Sequence, residues 1–190
     1  MDIREWDERY RSADDSEAAP VPLVTETAGR LQPGKVLDLA CGAGRNALWL
    51  AEHGWSVTAV DGSRVAIDML RRRALERSVD VDARVADLER GEYRIEPSAW
   101  DLIVISYYLQ RDLFEPAKQG VKPGGVLIAI VHITEPGEEP TYKRLRPDEL
   151  TSYFAGCEIL HQYEGQPNET GHRHGVAEIV ARRPESPRLN

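Results

Sequence analysis

The sequence has few of the features that mark disulfide-stabilised or membrane-spanning proteins. Among its 190 residues are only two cysteines, Cys41 and Cys157, which could form one bridge at most, and we expect both to remain reduced thiols. The longest apolar run, from Val126 to Val131, is far shorter than the roughly 20 residues that a membrane helix needs. We therefore expect no membrane partner.

Basic residues are fewer than acidic ones: the chain has 24 Lys and Arg residues and 32 Asp and Glu residues, which gives a formal net charge of −8. This sign of charge repels phosphate backbones, so we expect no nucleic-acid partner. No CxxC or HExxH spacing is present, and His172 and His174 on one strand face have no obvious third ligand, so we expect no metal. The first residues are charged and contain no apolar signal-peptide core, which predicts a cytoplasmic protein.

The length of 190 residues suits one domain with a continuous core. We expect this domain to span residues 1–184, with an N-terminal helical cap over residues 1–32 and a loose tail over residues 185–190. The protein is expected to be a monomer or a homodimer. In the cap, Trp6 and Tyr10 lie at helical spacing, and they form either ordinary core contacts or a lid over a ligand.

The segment from Val36 to Ala51 predicts a strand, a glycine turn and a helix. Gly42 and Gly44 have no Cβ, so a ligand can approach the backbone in front of the helix N-terminus. Ala47 occupies the place of the third glycine in the dinucleotide-binding pattern, which the broader form of that pattern allows. Asp38 inside the strand would repel a pyrophosphate, whereas it would suit a ligand that carries an ammonium group.

Acidic residues also follow the next two predicted strands. Residues 55–61 form the second strand, and Asp61 at its end is placed to accept hydrogen bonds from a ribose, with Gly62 keeping the approach clear. Residues 79–86 alternate as a third strand, after which Asp87 could contact an adenine amino group.

A helix is predicted between these two strands, with Ser63 as its N-cap. We expect Leu70, Ala74 and Leu75 to face the sheet, and the run Arg71–Arg73 to face water.

The second half of the chain continues the strand pattern. Residues 100–105 are nearly all apolar, as in a strand buried on both faces, and a Lys-Pro-Gly-Gly turn precedes a fifth strand at residues 126–130. Residues 157–163 and 175–182 predict two strands joined by a polar loop with no helix, so they must be antiparallel neighbours.

The run Asp-Leu-Ala-Cys-Gly-Ala-Gly at residues 38–44 resembles motif I of class I S-adenosylmethionine-dependent methyltransferases, and the Lys-Pro-Gly-Gly turn resembles the same family. The resemblance covers about residues 34–184. It implies an α/β, Rossmann-like fold with a seven-stranded, mostly parallel sheet of order 3-2-1-4-5-7-6 and an antiparallel last strand. The Gly-Arg-Asn-Ala-Leu-Trp-Leu-Ala continuation and the Ala-Arg-Arg-Pro ending look most like the tellurite- and thiopurine-resistance type of small-molecule methyltransferases.

The resemblance implies S-adenosylmethionine as the cofactor. The glycine turn and Asp38 would bind its methionine end, Asp61 its ribose hydroxyls, and Asp87 with the Leu88 amide its adenine. The full predicted cofactor-binding set is Asp38, Cys41, Gly42, Ala43, Gly44, Asp61, Gly62, Ser63, Asp87, Leu88 and Ser106.

The predicted reaction is direct methyl transfer to a small-molecule acceptor, with Tyr107, His172 and His174 as the catalytic candidates. No strong acid–base pair is evident, which favours a soft or anionic acceptor that needs little activation. Two alternatives remain open: a NAD-dependent oxidoreductase, and a non-catalytic module that binds S-adenosylmethionine. The polar residues expected near the acceptor are His132, Tyr142, Arg144, His172, Arg173 and His174.

Overall fold

A computed structural model describes residues 2–12, 18–134, 137, 141, 143–167 and 174–185. Tyr142, His172 and Arg173 of the predicted acceptor set lie outside the described residues. Close backbone contacts divide the chain into two compact units, Met1–Arg94 and Ile95–Asn190. None of the described helices is long and apolar enough to cross a membrane.

The first unit contains three parallel strands and the helices that connect them. Its elements are α1 (Ile3–Ser12), α2 (Pro22–Ala28), β1 (Lys35–Leu39), α3 (Arg45–Glu52), β2 (Ser56–Asp61), α4 (Arg64–Glu76) and β3 (Val81–Val85). β2 pairs with β1 on one side and with β3 on the other, both in parallel register. The apolar residues of β1 and β2 are buried, as the sequence of these strands predicts.

Helix α4 differs from the sequence prediction in one respect. Ser63 is its N-cap, since its Oγ accepts a hydrogen bond of 3.1 Å from the Ala66 amide. However, Leu75 is 81% exposed and Arg73 is only 6% exposed, so the expected orientation of these two residues is wrong. With 3.6 residues per turn, Arg73 falls beside Leu70 on the inner face, and Leu75 falls outside it.

The second unit contains four strands. Its elements are β4 (Trp100–Ser106), a 3-10 turn (Arg111–Leu113), α5 (Phe114–Gly120), β5 (Val121–His132), α6 (Glu149–Ser152), β6 (Glu158–Gly165) and β7 (Val176–Arg182). β4 and β5 are parallel, whereas β7 is antiparallel to both β5 and β6. The predicted Lys-Pro-Gly-Gly turn lies within the first part of β5, where the β4–β5 register shifts between Trp100 and Leu102.

The strands follow the order β3-β2-β1-β4-β5-β7-β6 in a seven-stranded sheet. This order, with its antiparallel last strand, confirms the predicted fold class. In β1, β2 and β3 the carboxyl ends lie at one edge, which is where open α/β sheets bind ligands.

Candidate active site

The glycine turn between β1 and α3 is built from backbone that bends sharply. Ala40, Gly42 and Gly44 have φ angles of 54°, 55° and 86°. The turn closes through a hydrogen bond of 3.0 Å from the Gly44 amide to the Cys41 carbonyl. The sequence pointed to the two glycines, but the positive φ of Ala40 has no sequence signal, because an alanine rarely adopts this conformation.

The two glycines serve different contacts. A Cβ on Gly44 would collide with the side chain of Leu70 on α4, so this glycine permits close helix packing. A Cβ on Gly42 would collide with the hydroxyl of Tyr10, so Gly42 faces helix α1. Ala43, between the two glycines, is buried. Cys41 is also buried, and its burial raises the pKa of its thiol well above the ordinary value. A buried thiol with so high a pKa is unreactive.

Asp38 is fully buried in β1, immediately before the turn. Neither of its carboxylate oxygens makes a hydrogen bond to any described residue. Burial, helped by the nearby charge of Asp61, raises its pKa to about 7, although the Arg45 guanidinium and the Ala47 amide act in the opposite direction. A buried acid without hydrogen bonds is costly, and a donor from a ligand would relieve that cost.

Asp61 ends β2 and holds the turn in place. One of its carboxylate oxygens accepts a hydrogen bond of 2.8 Å from the Gly42 amide, and the other accepts one of 2.8 Å from the Ser63 amide. Burial raises the pKa of Asp61, and the nearby charge of Asp7 acts in the same direction. The hydrogen bonds from the Ser63 and Gly42 amides lower this pKa in part. Each oxygen still has a lone pair for a ligand hydroxyl, because a carboxylate offers about four acceptor positions.

Helix α1 lies against the same residues. Asp7 accepts a hydrogen bond of 2.5 Å from the Ser63 hydroxyl, Ile3 packs against Gly62, and Tyr10 lies on Gly42. No side chain of α1 is fully buried. The helix therefore covers the predicted ribose and glycine-turn positions without being part of the core.

Asp87 and Leu88 follow β3. The Asp87 carboxylate accepts hydrogen bonds of 3.0 and 3.2 Å from the Glu89 and Arg90 amides, so it caps a short turn. Leu88 is buried. Both residues belong to the same unit as Asp38, the glycine turn and Asp61, and so does every predicted cofactor residue except Ser106.

In the second unit, the predicted acceptor residues that the structure describes form an aromatic and cationic cluster. The Tyr107 and His132 rings are 5.4 Å apart between centroids, and His132 and His174 are 6.1 Å apart with edge-on rings. Arg144 Nη2 lies 3.1 Å from His174 Nε2. Since Arg is only a donor, this nitrogen of His174 accepts, and the imidazole proton is on Nδ1. Ser106 ends β4 directly before Tyr107.

Tyr107 has a φ of 58°, which is strained for a residue with a bulky side chain. Its amide donates a hydrogen bond of 2.7 Å to the Ile130 carbonyl of β5. This bond holds the Tyr107 backbone against β5 where β4 ends.

The sequence did not reveal the ion pair that holds Arg144. Arg111 Nε lies 2.8 Å from a Glu149 carboxylate oxygen, and Arg111 also donates to the Arg144 carbonyl at 3.2 Å. Glu149 further accepts from the Tyr153 hydroxyl at 3.0 Å. The hydrogen bond from Arg111 lowers the pKa of Glu149 to about 2. Residues this far apart in sequence carry no local pattern that would link them.

The residues of the first unit fit S-adenosylmethionine. The ammonium of its methionine part could donate to Asp38, whose oxygens have no other hydrogen-bond donor among the described residues. The ribose diol could use the remaining lone pairs of Asp61. Among the described residues, no three potential metal ligands lie together.

Comparisons with known proteins agree with this geometry. Residues 36–125 match the Methyltransferase domain family. The cypemycin N-terminal methyltransferase of a Streptomyces species is 35% identical over 112 residues, which cover 54% of this chain and 43% of that protein. The probable S-adenosyl-L-methionine-dependent methyltransferase TehB of Haemophilus influenzae is 24% identical over 162 residues, covering 79% of this chain and 57% of TehB.

The chain thus spans about half the length of these two curated relatives, 43% and 57%. The crystal structure of TehB from Haemophilus influenzae superposes with a TM-score of 0.76 at 23% identity, covering 93% of this chain and 67% of that chain. Both the sequence and the fold therefore resemble TehB. The chain is thus similar to the Methyltransferase domain family over residues 36–125, and it shares its fold with TehB.

Proposed function

We propose that this protein transfers the methyl group of S-adenosylmethionine to a small-molecule acceptor. The observation that carries the proposal is the buried Asp38 carboxylate, which has no hydrogen bond to a described residue and lies directly before the glycine turn. A nicotinamide dinucleotide would bring a pyrophosphate to this turn, next to two carboxylates. The cationic methionine end of S-adenosylmethionine is favoured there instead.

The remaining cofactor contacts follow from the residues around Asp38. Asp61 would accept the ribose hydroxyls, and Asp87 with the Leu88 amide would contact the adenine edge. The turn from Cys41 to Gly44 would contact the methionine part through its backbone, with Gly62, Ser63 and Ser106 completing the contacts.

The acceptor is proposed to bind at the cluster of Tyr107, His132, Arg144 and His174. Arg144 and the Nδ1–H of His174 are donors, so they would favour an anionic or strongly polar acceptor. Bound S-adenosylmethionine supplies an electrophilic methyl on a sulfonium. Tyr107 and His174 would orient the acceptor for a single displacement, and a dry site favours this step because charge disappears in its transition state.

The first experiment measures cofactor affinity by titration calorimetry for S-adenosylmethionine, its demethylated product and NAD. Asp61→Asn should weaken S-adenosylmethionine binding about ten- to a hundredfold, because it removes a charged acceptor. Asp82→Asn is the matched control, since this exposed acid on β3 pairs with Arg84 at 2.6 Å and should leave the affinity unchanged. Equal affinity of wild type and Asp61→Asn would remove Asp61 from the site. Tighter binding of NAD would favour the oxidoreductase alternative.

A second experiment tests the acceptor cluster with a panel of thiols, oxyanions, hydroxyl compounds, amines and short RNA. His174→Ala should lower kcat/KM at least about tenfold on the preferred acceptor, in line with the loss of a charge-assisted contact. His161→Ala on β6 is the control, because this histidine pairs with Glu178 at 3.2 Å outside the cluster. His172→Ala tests the predicted residue outside the described part of the chain.

The result of the panel distinguishes the remaining alternatives. Turnover on RNA alone would contradict the small-molecule proposal. Binding of S-adenosylmethionine without turnover on any acceptor would favour a non-catalytic binding module. The relatives whose names include a methyltransferase activity, such as the cypemycin enzyme, support an enzyme.

A further inference from the structure

The carboxylate of Glu149, the first residue of α6, accepts four hydrogen bonds. One of its oxygens accepts from Arg111 Nε at 2.8 Å and from the Tyr153 hydroxyl at 3.0 Å. The other oxygen accepts from Arg111 Nη2 at 3.3 Å and from the Arg146 amide at 2.9 Å. Because a carboxylate offers about four acceptor positions, these hydrogen bonds use all of them.

This bonding limits what Glu149 can do. Its pKa is lowered to about 2, chiefly by the hydrogen bond from Arg111, so the carboxylate is ionised at neutral pH. A carboxylate with so low a pKa is too weak a base to take a proton from an acceptor. What Glu149 contributes is therefore the position of the residues that it binds.

The bonds of Glu149 hold the chain on both sides of Leu145. On one side, Arg111 Nη2 donates both to Glu149 and to the Arg144 carbonyl, the latter at 3.2 Å. On the other side, the Arg146 amide donates directly to Glu149. One carboxylate thus anchors the residue before Leu145 through Arg111 and the residue after it through the backbone.

The same short segment is attached to the end of β5. The amide of Leu145, which is fully buried, donates a hydrogen bond of 3.0 Å to the His132 carbonyl. The Leu145 carbonyl accepts a hydrogen bond of 2.8 Å from the Thr134 amide. With its backbone held from two directions, the segment has a fixed place, from which Arg144 Nη2 lies 3.1 Å from His174 Nε2.

We propose that Glu149 is a positioning residue that keeps the Arg144 guanidinium on His174, so that the acceptor cluster prefers an anionic acceptor. The acceptor preference rests on the proposed function, whereas the state of His174 does not. Since Arg144 only donates, its contact requires an unprotonated Nε2 and places the imidazole proton on Nδ1. A guanidinium fixed beside this ring also supplies positive charge where a negatively charged acceptor would bind.

The state of His174 can be measured without cofactor or acceptor. Long-range proton–nitrogen correlation NMR of the full-length protein, at a pH where its histidines are neutral, distinguishes protonated from unprotonated ring nitrogens. His174→Ala identifies the signals of this residue, and wild type should show the proton on Nδ1. Glu149→Gln replaces one acceptor oxygen by an NH2 donor that faces other donors, so the form with the proton on Nε2 should appear. Unchanged His174 signals in folded Glu149→Gln would overturn the proposal.

Asp148→Asn is the matched control, because it removes the same charge from the preceding residue, where an asparagine tolerates the φ of 62°. It should leave the His174 signals unchanged. Arg111→Lys is the second test variant, since it keeps the charge but loses the planar fork that joins Glu149 to the Arg144 carbonyl. It should produce the same change as Glu149→Gln. Urea unfolding shows which variants fold, and wild-type signals in whichever of the two folds would contradict the proposal.

Steady-state kinetics on an anionic and on a neutral acceptor measure the preference. Glu149→Gln should raise KM for the anionic acceptor about tenfold with little change in kcat, because the cation that helps to bind the acceptor is no longer held in place. KM for the neutral acceptor should change much less, and an equal rise for both acceptors would contradict the preference. Changed His174 signals without turnover on any acceptor would mean that the proposed function fails while the positioning of Arg144 stands.

Discussion

At the scale of single residues, the buried carboxylate of Asp38, which we propose binds the cofactor, lowers the stability of the folded protein. Its pKa rises to about 7 in the folded state, chiefly through burial, whereas in an unfolded chain the pKa lies near its ordinary value of 3.8. Ionised Asp38 therefore costs the folded state roughly 4 kcal/mol. The folded state binds more protons than the unfolded state between these two pKa values. Stability from this group is thus greatest at acidic pH, falls as the pH rises from about 4 to about 7, and stays low above that.

Asp38→Asn should make the ligand-free protein more stable than wild type at pH 8, by roughly 2–4 kcal/mol, because the cost of the buried charge disappears. The gain should shrink toward pH 4, where the wild-type carboxyl is protonated. Urea unfolding at several pH values measures it. Asp82→Asn, at an exposed acid, is the control and should show no such trend. A stability difference that does not change with pH would show that the Asp38 charge is not the cause.

Gly44 shows how one residue can serve the fold and the site together. Its missing Cβ admits Leu70, and its φ of 86° closes the turn. Any larger residue here would meet both a steric collision and backbone strain. Packing against Leu70 therefore accounts for its place in the motif, in addition to the proposed cofactor contact.

At the scale of secondary-structure elements, helix α1 is the element that could move. It has no fully buried side chain, yet Asp7, Tyr10 and Ile3 contact the predicted cofactor residues. A helix with few buried contacts opens at low free-energy cost. These contacts support a lid over the cofactor, one of the two roles that the spacing of Trp6 and Tyr10 leaves open.

We expect amide hydrogen exchange of α1 to be faster than that of β1 in the ligand-free protein and to slow when S-adenosylmethionine is added. Asp7→Asn should weaken this protection and increase the dissociation rate of the cofactor, because the hydrogen bond from the Ser63 hydroxyl loses its charged acceptor. Glu8→Gln, at an exposed acid of the same helix, is the control. Faster exchange of α1 in the presence of the cofactor would mean that binding displaces the helix instead.

The segment that carries Arg144 is a second element whose position depends on distant contacts. The ion pair of Arg111 and Glu149, together with the Tyr153 hydroxyl, connects it to the residues that follow β4. Arg144 in turn contacts His174. The proposed acceptor cluster is therefore supported by residues that do not themselves belong to it.

At the scale of the whole molecule, ligand binding should appear as a gain in stability. A ligand at 100 times its dissociation constant stabilises the folded state by about 2.7 kcal/mol. In a protein of this size, 1 kcal/mol corresponds to about 2–4 °C in Tm, so we expect S-adenosylmethionine to raise Tm by roughly 5–11 °C. Differential scanning fluorimetry with S-adenosylmethionine and NAD at equal concentrations measures this. A shift with NAD alone would contradict the proposed cofactor specificity.

The strand order and the motif I turn were predictable from the sequence, because their signals are local. Apolar runs and alternation mark strands, glycines mark the turn, and a helix-free loop between two strands requires an antiparallel pair. The positions of Asp38 in β1 and of Asp61 at the end of β2 were predictable for the same reason, whereas their role in cofactor binding stays a prediction.

Tertiary structure decided which side chains meet across long stretches of chain. Arg73 was expected in water because it follows two other arginines, but helix geometry and packing bury it against the Ala43 carbonyl. Likewise, no local pattern pairs Tyr10 with Gly42 or Arg111 with Glu149. Such pairings depend on how separate elements pack, and the sequence near each residue does not indicate which distant residue it will contact.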